Sequence, residues 1–511
     1  MKKIIFLFAI LLAAAGAKIE AQTAFRLQST FDVVGNGNGN IIFDASTNTF
    51  TIKGTSGNTY QILGFQKGKL LKYKTLHYNV SEKNGKVQLL FLVGNSIMRT
   101  IEITATGAQT LDVSTLDYKS TIDEIRITGA RSESEYSQSY TFKLDPASVY
   151  LEGDAVSERM TITTTINSSS TYATPFQWVK DPGESQTNMT GTPTNGFGSS
   201  TASGNVLFGY STSNSTSNGC INLTGYDRAV VTLNETSSGI LRFLNESSHN
   251  SAIEPQAKSG TTWEADIPFY YCTSMKIGTA AMTVNSIDFI MEHDAASTTA
   301  FNIAPSASSA INYDREFTVG QASTVCLPFS LTSAEIADMG NFYYLNNVTS
   351  AGELQFNKAS NPSAYTPYLF VPKKEKPFAS LTGKAIESPS GKSLQTSKQS
   401  GTWIFKGTLA KVADVASSNN SNTVYGWSSS DGSFKKAGTG VSIDAFRAYI
   451  IGPASTSARL NVVFSDDEAT GIETLNREPL TVNQTFNLQG QRVSEGHKGL
   501  VIKNGKKMIV K

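Results

Sequence analysis

The sequence has 511 residues, a formal net charge of +1, and only 17% charged residues. So neutral a chain has no electrostatic basis for binding nucleic acid, and its length suffices for roughly three domains. Its three cysteines, an odd number, argue against a disulfide framework. Cys326 lies in an alternating apolar stretch that predicts a buried thiol. Cys220 and Cys272 fall in one predicted domain, where pairing stays an open alternative.

The N-terminus has the pattern of a secretory signal peptide at residues 1–21. Two lysines precede an apolar run, Ile4–Ala15, that is shorter than the roughly 20 residues needed to cross a bilayer. Small residues follow, with cleavage expected after Ala17 or Ala21. No second apolar run of membrane length follows. We therefore expect a mature chain without a transmembrane segment, secreted or held at the outer-membrane surface.

An internal repeat is the most informative feature of the next 270 or so positions, since similar segments recur in the same order. It predicts two related units, residues 23–152 and 172–294. Tyr73 and Tyr226 should be equivalent, as should Val113 and Ile267. The matched segments are Thr23–Leu27 with Thr174–Trp178, Tyr73–Val80 with Tyr226–Leu233, Asn84–Phe91 with Ser238–Asn245, Thr110–Ser114 with Glu264–Pro268, Ile122–Ala130 with Cys272–Ala280, and Pro146–Glu152 with Val284–Glu292.

Each unit consists of short apolar or alternating runs separated by Gly, Asn and Ser clusters, which is typical of strands. Many short strands without a helical period predict an all-β fold of tandem β-sandwich or jelly-roll domains. The strand Tyr73–Val80, the Asp112-Val113 strand and the strand Ile122–Ile127 resemble those of galactose-binding-type jelly rolls. That resemblance implies a sandwich fold and a glycan ligand.

The short apolar runs in residues 298–468 predict a third β-rich module. One short helix is expected at LTSAEIADMG, where Thr332 caps the N-terminus, Glu335 completes a capping box and Gly340 ends the helix. The stretches 327–329, 368–372 and 445–449 resemble a β-module that often precedes sorting tails in secreted proteins of gut and oral anaerobes. The role of that module is not established.

No motif for catalysis or metal binding stands out. His77, His249, His293 and His497 have no second histidine or cysteine at ligand spacing, which predicts no metal site and no cofactor. His77 is interpreted as a packed or surface strand residue. The acidic run 466–468 lies in a predicted linker, where it cannot supply the differently buried carboxylates of a glycosidase. We therefore expect no catalytic residues and a protein that is not an enzyme.

Tryptophans are candidates for stacking on sugar rings. Trp178, Trp263 and Trp403 share alternation faces with apolar residues, which indicates core packing. Trp427 lies beside a turn in YGWSSSDGS and is the tryptophan most expected to be exposed. The sequence alone does not locate a ligand-binding face.

The C-terminal tail, residues 471–511, predicts a basic hairpin. LVIK and KMIV flank Asn504-Gly505, a two-residue turn signal because both turn positions need positive φ. TFNLQGQRV predicts a further strand before the hairpin. Phe486–Lys511 carries Arg492 and five lysines against Glu495. An ordinary terminal hairpin with lysine-protected edges is one interpretation.

The same tail resembles the C-terminal sorting domain of type-nine (Por) secretion, whose pattern is Tyr-Asp-Leu-x-Gly-Arg-x-Val, then Gly-x-Tyr-x-Val, then a Lys-rich end. Phe486–Val493 follows the first part with Phe for Tyr and Asn for Asp, and Gly499–Ile502 follows the second without the Tyr. The resemblance implies recognition by secretion machinery. The sorting-signal residues it implies are Leu488, Gly490, Arg492, Val493, Gly499, Asn504, Gly505 and Lys506.

These observations lead to a functional expectation. We expect a secreted or surface-displayed, non-catalytic binding protein of a Gram-negative anaerobe, with polysaccharide as the ligand. That choice rests on analogy of fold. The main alternative is a structural or adhesive surface protein that binds a protein partner, and the third is a divergent polysaccharide hydrolase.

Overall fold

The structure is a computed structural model of the 511-residue chain. The residues it describes are 22–26, 41–44, 46–47, 49–53, 60–65, 70, 73–94, 96–118, 121–129, 139–144, 148–155, 158–167, 178–180, 189–190, 199–200, 206–208, 221–244, 252–255, 257–267, 271–272, 274–278, 282–419, 423–454, 457–464, 485–486, 492–493, 499–503 and 506–510.

The described residues form an all-β protein built of β-sandwiches, which confirms the predicted fold class. One α-helix, α1 (Ser333–Met339), lies among them. The chain forms two compact units. The first comprises Met1–Arg159 and Ile166–Ile290, and the second comprises Met160–Thr165 and Met291–Lys511.

Strands of the first half of the chain are short and separated by polar loops. In chain order they are β1 (Gln22–Arg26), β2 (Ile41–Asp44), β3 (Thr49–Lys53), β4 (Tyr60–Phe65), β5 (Thr75–Asn84), β6 (Val87–Val93), β7 (Ser96–Ile103), β8 (Gly107–Asp112), β9 (Glu124–Gly129), β10 (Ser139–Leu144), β11 (Tyr150–Ala155), β12 (Arg159–Asn167), β13 (Trp178–Lys180), β14 (Met189–Thr190), β15 (Ser199–Ser200), β16 (Val206–Phe208), β17 (Ile221–Asn222), β18 (Arg228–Leu233), β19 (Ile240–Leu244), β20 (Ala252–Ile253), β21 (Ala257–Ser259), β22 (Thr262–Asp266), β23 (Tyr271–Cys272), β24 (Ser274–Gly278) and β25 (Met282–Asp294).

The remaining strands, again in chain order, are β26 (Ser306–Tyr313), β27 (Ser323–Cys326), β28 (Gly340–Val348), β29 (Leu354–Ala359), β30 (Pro367–Pro372), β31 (Leu381–Ile386), β32 (Gln395–Lys398), β33 (Trp403–Gly407), β34 (Thr423–Ser428), β35 (Ser433–Lys436), β36 (Ala448–Gly452), β37 (Arg459–Leu460), β38 (Val462–Phe464), β39 (Thr485–Phe486), β40 (Arg492–Val493), β41 (Gly499–Lys503) and β42 (Lys506–Val510).

Strands β1 to β11 form a sandwich of two sheets. One sheet has the order β1-β11-β5-β10-β3-β2, with β8 also paired to β5, and the other has the order β4-β9-β6-β7. Alternation along each strand turns Leu76 and Val80 of β5 and Leu89 and Phe91 of β6 into one core, where each is fully buried. Burial of side chains of this size contributes roughly 1.5–3 kcal/mol each and holds the two sheets together.

The same strand pairings recur between residues 178 and 290. β5 pairs with β8 and β11, and β18 pairs in the same way with β22 and β25. β6 pairs with β7 and β9 as β19 pairs with β20 and β24. β4 joins β9 as β16 joins β24. This shared order is what the predicted repeat requires.

Matching hydrogen bonds fix the register of the two copies. The Lys74 amide donates to the Glu152 carbonyl at 2.8 Å, and the Asp227 amide donates to the Ile290 carbonyl at 2.8 Å. The carbonyl groups of Lys74 and Asp227 each also accept a backbone hydrogen bond from the segment on their other side. Val113 donates to the Lys74 carbonyl at 2.7 Å, and Ile267 donates to that of Asp227 at 2.8 Å. Val113 and Ile267 therefore occupy equivalent positions.

One of the predicted matches needs correction, and another lies largely outside the described residues. In the match of 23–27 with 174–178, residues 27 and 174–177 lie outside the described residues. The match between 84–91 and 238–245 is displaced by two residues relative to the match of β9 with β24. Leu241 opposes Ile277 as Leu89, not Val87, opposes Ile127. A shift of two keeps every side chain on its face, so alternation could not reveal it.

The second unit contains a further sandwich. Its five-stranded sheet has the order β27-β30-β28-β29-β38, and its six-stranded sheet has the order β32-β33-β36-β34-β35-β37. Leu345 and Phe356 of the first sheet share a core with Phe405, Phe434 and Ile450 of the second. In the same unit β12 pairs with β26, and β26 pairs with β31.

The predicted helix forms as expected. The Thr332 side chain accepts from the Glu335 amide and the Glu335 side chain accepts from the Thr332 amide, which completes the capping box. The helix ends at Gly340, where φ is 151°. A Cβ on this residue would lie 2.3 Å from the Val371 carbonyl oxygen, so the close approach of β28 to β30 requires glycine.

The C-terminal tail forms a four-stranded sheet in the order β40-β39-β41-β42. Lys503 opposes Lys506 in the register of β41 and β42, so a two-residue connection joins them, as predicted. The prediction of one strand over TFNLQGQRV is wrong. That stretch contains two short strands that pair antiparallel, with Thr485 opposite Val493.

Candidate functional site

A polar cleft of about 270 Å³ lies in the second unit. Strands β27, β34 and β36 contribute to its walls, together with the segment 441–447 and Arg315. We call this the polar cleft and define it by Arg315, Ser323, Trp427, Ser442, Asp444 and Arg447. Its volume is just below the roughly 300–1,000 Å³ range of ligand pockets, a size that suits one small polar ring.

Trp427 forms an aromatic wall of the polar cleft. The residue lies on β34 directly opposite Phe434 of β35, and the two rings pack edge to face with centroids 5.0 Å apart. Its indole Nε1 donates to the Ala322 carbonyl at 2.7 Å, which satisfies the ring's polar atom and fixes its orientation. Val441, which is 41% exposed, adds a second apolar surface to the lining.

Arg315 is a buried cation in the wall, only 7% exposed. Its guanidinium lies 4.3 Å above the ring centroid of Phe317. Nη1 donates to the Thr324 carbonyl at 2.9 Å and Nη2 donates to Ser323 Oγ at 2.5 Å. These contacts hold the planar group in one orientation, so little side-chain entropy remains to be lost when a ligand binds.

A strained turn positions Asp444 and Arg447. Phe446 between them has a φ of 60°, which is rare for a bulky residue, and it is fully buried. Its ring makes edge-to-face contacts with three aromatic side chains, those of His293, Phe301 and Tyr313. Such packing over-determines the conformation and sustains the strain, as is common at functional sites.

Thr408 ties the same turn to β33. Its hydroxyl donates to the Asp444 carbonyl at 2.7 Å and accepts from the Arg447 amide at 3.1 Å. Its backbone amide also donates to the Arg447 carbonyl at 2.9 Å. Because Thr408 is 4% exposed, these bonds form away from water and fix the two charged residues of the turn.

The Asp444 carboxylate is within ion-pair distance of two cationic side chains. The Asp444 carboxylate lies 4.0 Å from Arg447 Nη2 and 3.8 Å from Lys411 Nζ, at the outer limit for ion pairs. The lining therefore combines two guanidiniums and one carboxylate with serine hydroxyls and an aromatic wall. Such a set can bind hydroxyl groups, an anionic group and an apolar ring face together.

A second polar cluster lies in the first sandwich, on the sheet face opposite the core. His77 Nε2 lies 2.5 Å from Glu152 Oε2, and its ring stacks on Tyr150 with centroids 4.4 Å apart. This placement agrees with the interpretation of His77 as a packed strand residue. The equivalent positions of the second copy hold Val230, Asp288 and Ile290, so the cluster is not repeated there.

The structure places the other singled-out residues as follows. Trp263 and Trp403 are buried, as predicted, and Trp427 is partly buried. Cys272 and Cys326 are buried, and burial raises the pKa of the Cys326 thiol to about 12. His293 is buried. Cys220, His249, His497 and the acidic run 466–468 lie outside the described residues, and the side chain of Trp178 is not described.

Some of the predicted sorting-signal residues belong to described strands, and the others lie outside the described residues. Arg492 and Val493 form β40, Gly499 begins β41, and Lys506 begins β42. Leu488, Gly490, Asn504 and Gly505 lie outside the described residues. Within the described ranges, His, Cys, Asp and Glu form no group of three that could hold a metal ion. No described helix has the length and apolar character needed to cross a membrane.

Comparison with known proteins adds no function. No protein family and no curated protein matches the chain. Among solved structures, the chain has a weak similarity to the crystal structure of PBSX exported protein XepA, at 8% identity. The match covers 54% of this chain and 85% of that one, and its TM-score of 0.10 is too low to indicate a shared fold.

Proposed function

We propose that this chain is a secreted or surface-displayed, non-catalytic glycan-binding protein, and that the polar cleft is its sugar site. The observation that carries the proposal is the conjunction of Trp427 and Val441 with Arg315, Asp444 and Arg447 in one small cleft. A sugar ring has an apolar C–H face and a rim of hydroxyls, and this lining offers a surface for each.

The rigidity of the lining supports the same proposal. Trp427, Arg315 and the turn at Phe446 are each held by their own hydrogen bonds or ring contacts, without help from a ligand. A site that is already ordered loses little entropy on binding, which suits a module whose task is to bind rather than to change shape.

A glycan array probed with the chain from Gln22 onward tests the proposal. We expect binding to a defined subset of glycans, and isothermal titration of one such glycan should show that Arg447→Gln weakens affinity about tenfold or more. Arg459→Gln is the matched control, because Arg459 is exposed on β37 and is not part of the cleft lining. Unchanged affinity in the Arg447 variant, or no glycan binding at all, would contradict the assignment.

A further inference from the structure

We propose that the polar cleft selects an acidic sugar, one that carries a single carboxylate, and that Arg315 and Arg447 recognise this group. This inference rests on the proposed glycan-binding function and adds the ligand's charge to it. A planar guanidinium matches a carboxylate with two parallel N–H···O bonds, a geometry that lysine does not offer.

The charge of the lining favours an anion. Two arginines and one aspartate give it a formal charge of +1 in a chain whose whole formal charge is also +1. The positive charge of the lining therefore does not follow from a high net charge of the whole chain. Since Arg315 is 7% exposed, its attraction for an anion is less screened by water than that of a surface arginine.

Asp444 narrows the choice of anion. One monoanionic group neutralises the net charge of +1 of the lining, whereas a dianionic phosphate would leave an excess negative charge beside Asp444. Asp444 also accepts hydrogen bonds from sugar hydroxyls, as do the hydroxyls of Ser323 and Ser442. A monoanion with neighbouring hydroxyls therefore fits better than a phosphate group, and a hexuronate or a sialate has this composition.

The size of the cleft limits recognition to one ring. At about 270 Å³ it has room for a single acidic residue, such as the end or a side branch of a glycan, with its apolar face toward Val441 or Trp427. Val441 is more exposed than most of the valines that the structure describes, at 41%, as expected for an apolar contact surface at the rim.

Isothermal titration of the chain from Gln22 onward tests the inference directly. The probes are the methyl glycosides of glucuronic, galacturonic and N-acetylneuraminic acids, with methyl glucoside and methyl galactoside as neutral counterparts. We expect at least one acidic glycoside to bind about tenfold or more tightly than its neutral counterpart. We expect Arg447→Gln to remove this preference, Arg447→Lys to retain part of it, and Arg459→Gln to leave it unchanged. Thermal melts confirm that each variant is folded.

The outcomes separate the two proposals. Equal binding of acidic and neutral glycosides, with loss of both in the Arg447→Gln variant, would overturn the acidic preference and leave the glycan site in place. Absence of binding to every glycoside and to the glycan array would overturn both. Equally tight binding of a Glu-rich peptide at the same residues would overturn the sugar assignment in favour of a protein partner.

Discussion

Lys384 is a buried cation, and the Glu335 carboxylate pairs with it and offsets the cost of its burial. The Lys384 ammonium is 8% exposed and lies 2.5 Å from Glu335 Oε1, and it also donates to the Ser330 carbonyl at 3.1 Å. Burial favours the neutral form of Glu335, but the hydrogen bonds from Lys384 and Thr332 outweigh it. They hold the pKa of this carboxyl below its ordinary value of 4.5.

The depressed pKa makes the stability of the second unit depend on pH. We expect Glu335→Gln to lower the free energy of unfolding at pH 7 by about 1–3 kcal/mol, because the variant leaves Lys384 without its carboxylate. The stabilisation by Glu335 is complete above pH 4.5 and is lost as the pH falls through the lower pKa of the folded state. The difference between wild type and variant should therefore shrink between pH 5 and pH 3.

Thermal melts across this pH range measure the effect. Glu316→Gln is the control, because Glu316 pairs with Lys376 at 3.3 Å while both side chains are at least half exposed. Such surface pairs contribute little, so the control should melt like the wild type at every pH. A constant difference between Glu335→Gln and wild type from pH 7 to pH 3 would show that ionisation of Glu335 is not the source of the stability.

For single residues, sequence patterns identify buried side chains more readily than ligand-binding side chains. Alternation alone predicts the burial of Trp263, Trp403 and Cys326, because a neighbour two positions away shows which face is apolar. It also indicates Trp427 as different, since hydroxyl residues and a turn follow it. Arg315 could not be identified, because its role depends on contacts with strands that only the folded chain brings beside it.

Among the structural elements, the turn at 444–447 is the one on which the polar cleft depends. The backbone that carries the side chains of Asp444 and Arg447 is held by Phe446 on the core side and by Thr408, which directly follows β33. A change in the Thr408 hydroxyl alters the turn without touching any charged group of the lining. Thr408 is therefore a positioning residue, distinct from those that contact a ligand.

We expect Thr408→Val to weaken glycan binding about fivefold or more and to lower stability by about 1–3 kcal/mol, because the partly buried Asp444 carbonyl and Arg447 amide lose a partner. Thr408→Ser keeps the hydroxyl and should restore binding, although its missing methyl leaves a small cavity. Titration and thermal melts of both variants separate the two effects. Full affinity in Thr408→Val would show that the turn does not need this bond.

Strand pairing is predictable in kind and only partly in detail. The repeat predicts equivalent strands because apolar runs recur in order, and three pairings of the predicted segments agree in the two copies. The segment RMTITTTIN at β12 joins β26, with Met160 opposite Tyr313, far along the chain. No local pattern specifies such a partner, because a strand shows which of its faces is apolar but not which edge it will pair with.

At the scale of the whole molecule, composition is the strongest guide to fold and the weakest guide to function. A low share of charged residues and many turn formers between short apolar runs predict an all-β chain of several sandwiches, whatever the order of its strands. The polar cleft depends on a few side chains from distant segments, 315, 323, 427 and 442–447. Composition averages over such residues, so the ligand has to be inferred from geometry.

The described strands of the C-terminal tail form a sheet of their own. Strands β39 to β42 pair with one another, whereas β38, the last described strand before the tail, pairs with β29 through Val462 opposite Leu354. Removal of residues 471–511 leaves that pairing intact. We propose that the tail is an address for export, since its lysines and hairpin give it a recognisable shape without a place in the upstream sheets.

Deletion of residues 471–511 tests this proposal in a bacterium that has the type-nine secretion machinery. We expect the truncated chain to melt at the same temperature as the intact chain, because each upstream sandwich keeps its own core. We expect it to accumulate in the periplasm, while the intact chain reaches the surface or the medium, as cell fractionation will show. Fusion of the tail to a periplasmic reporter should redirect that reporter to the surface. Normal delivery of the truncated chain would exclude the sorting role, and a large drop in its melting temperature would show instead that the tail stabilises the second unit.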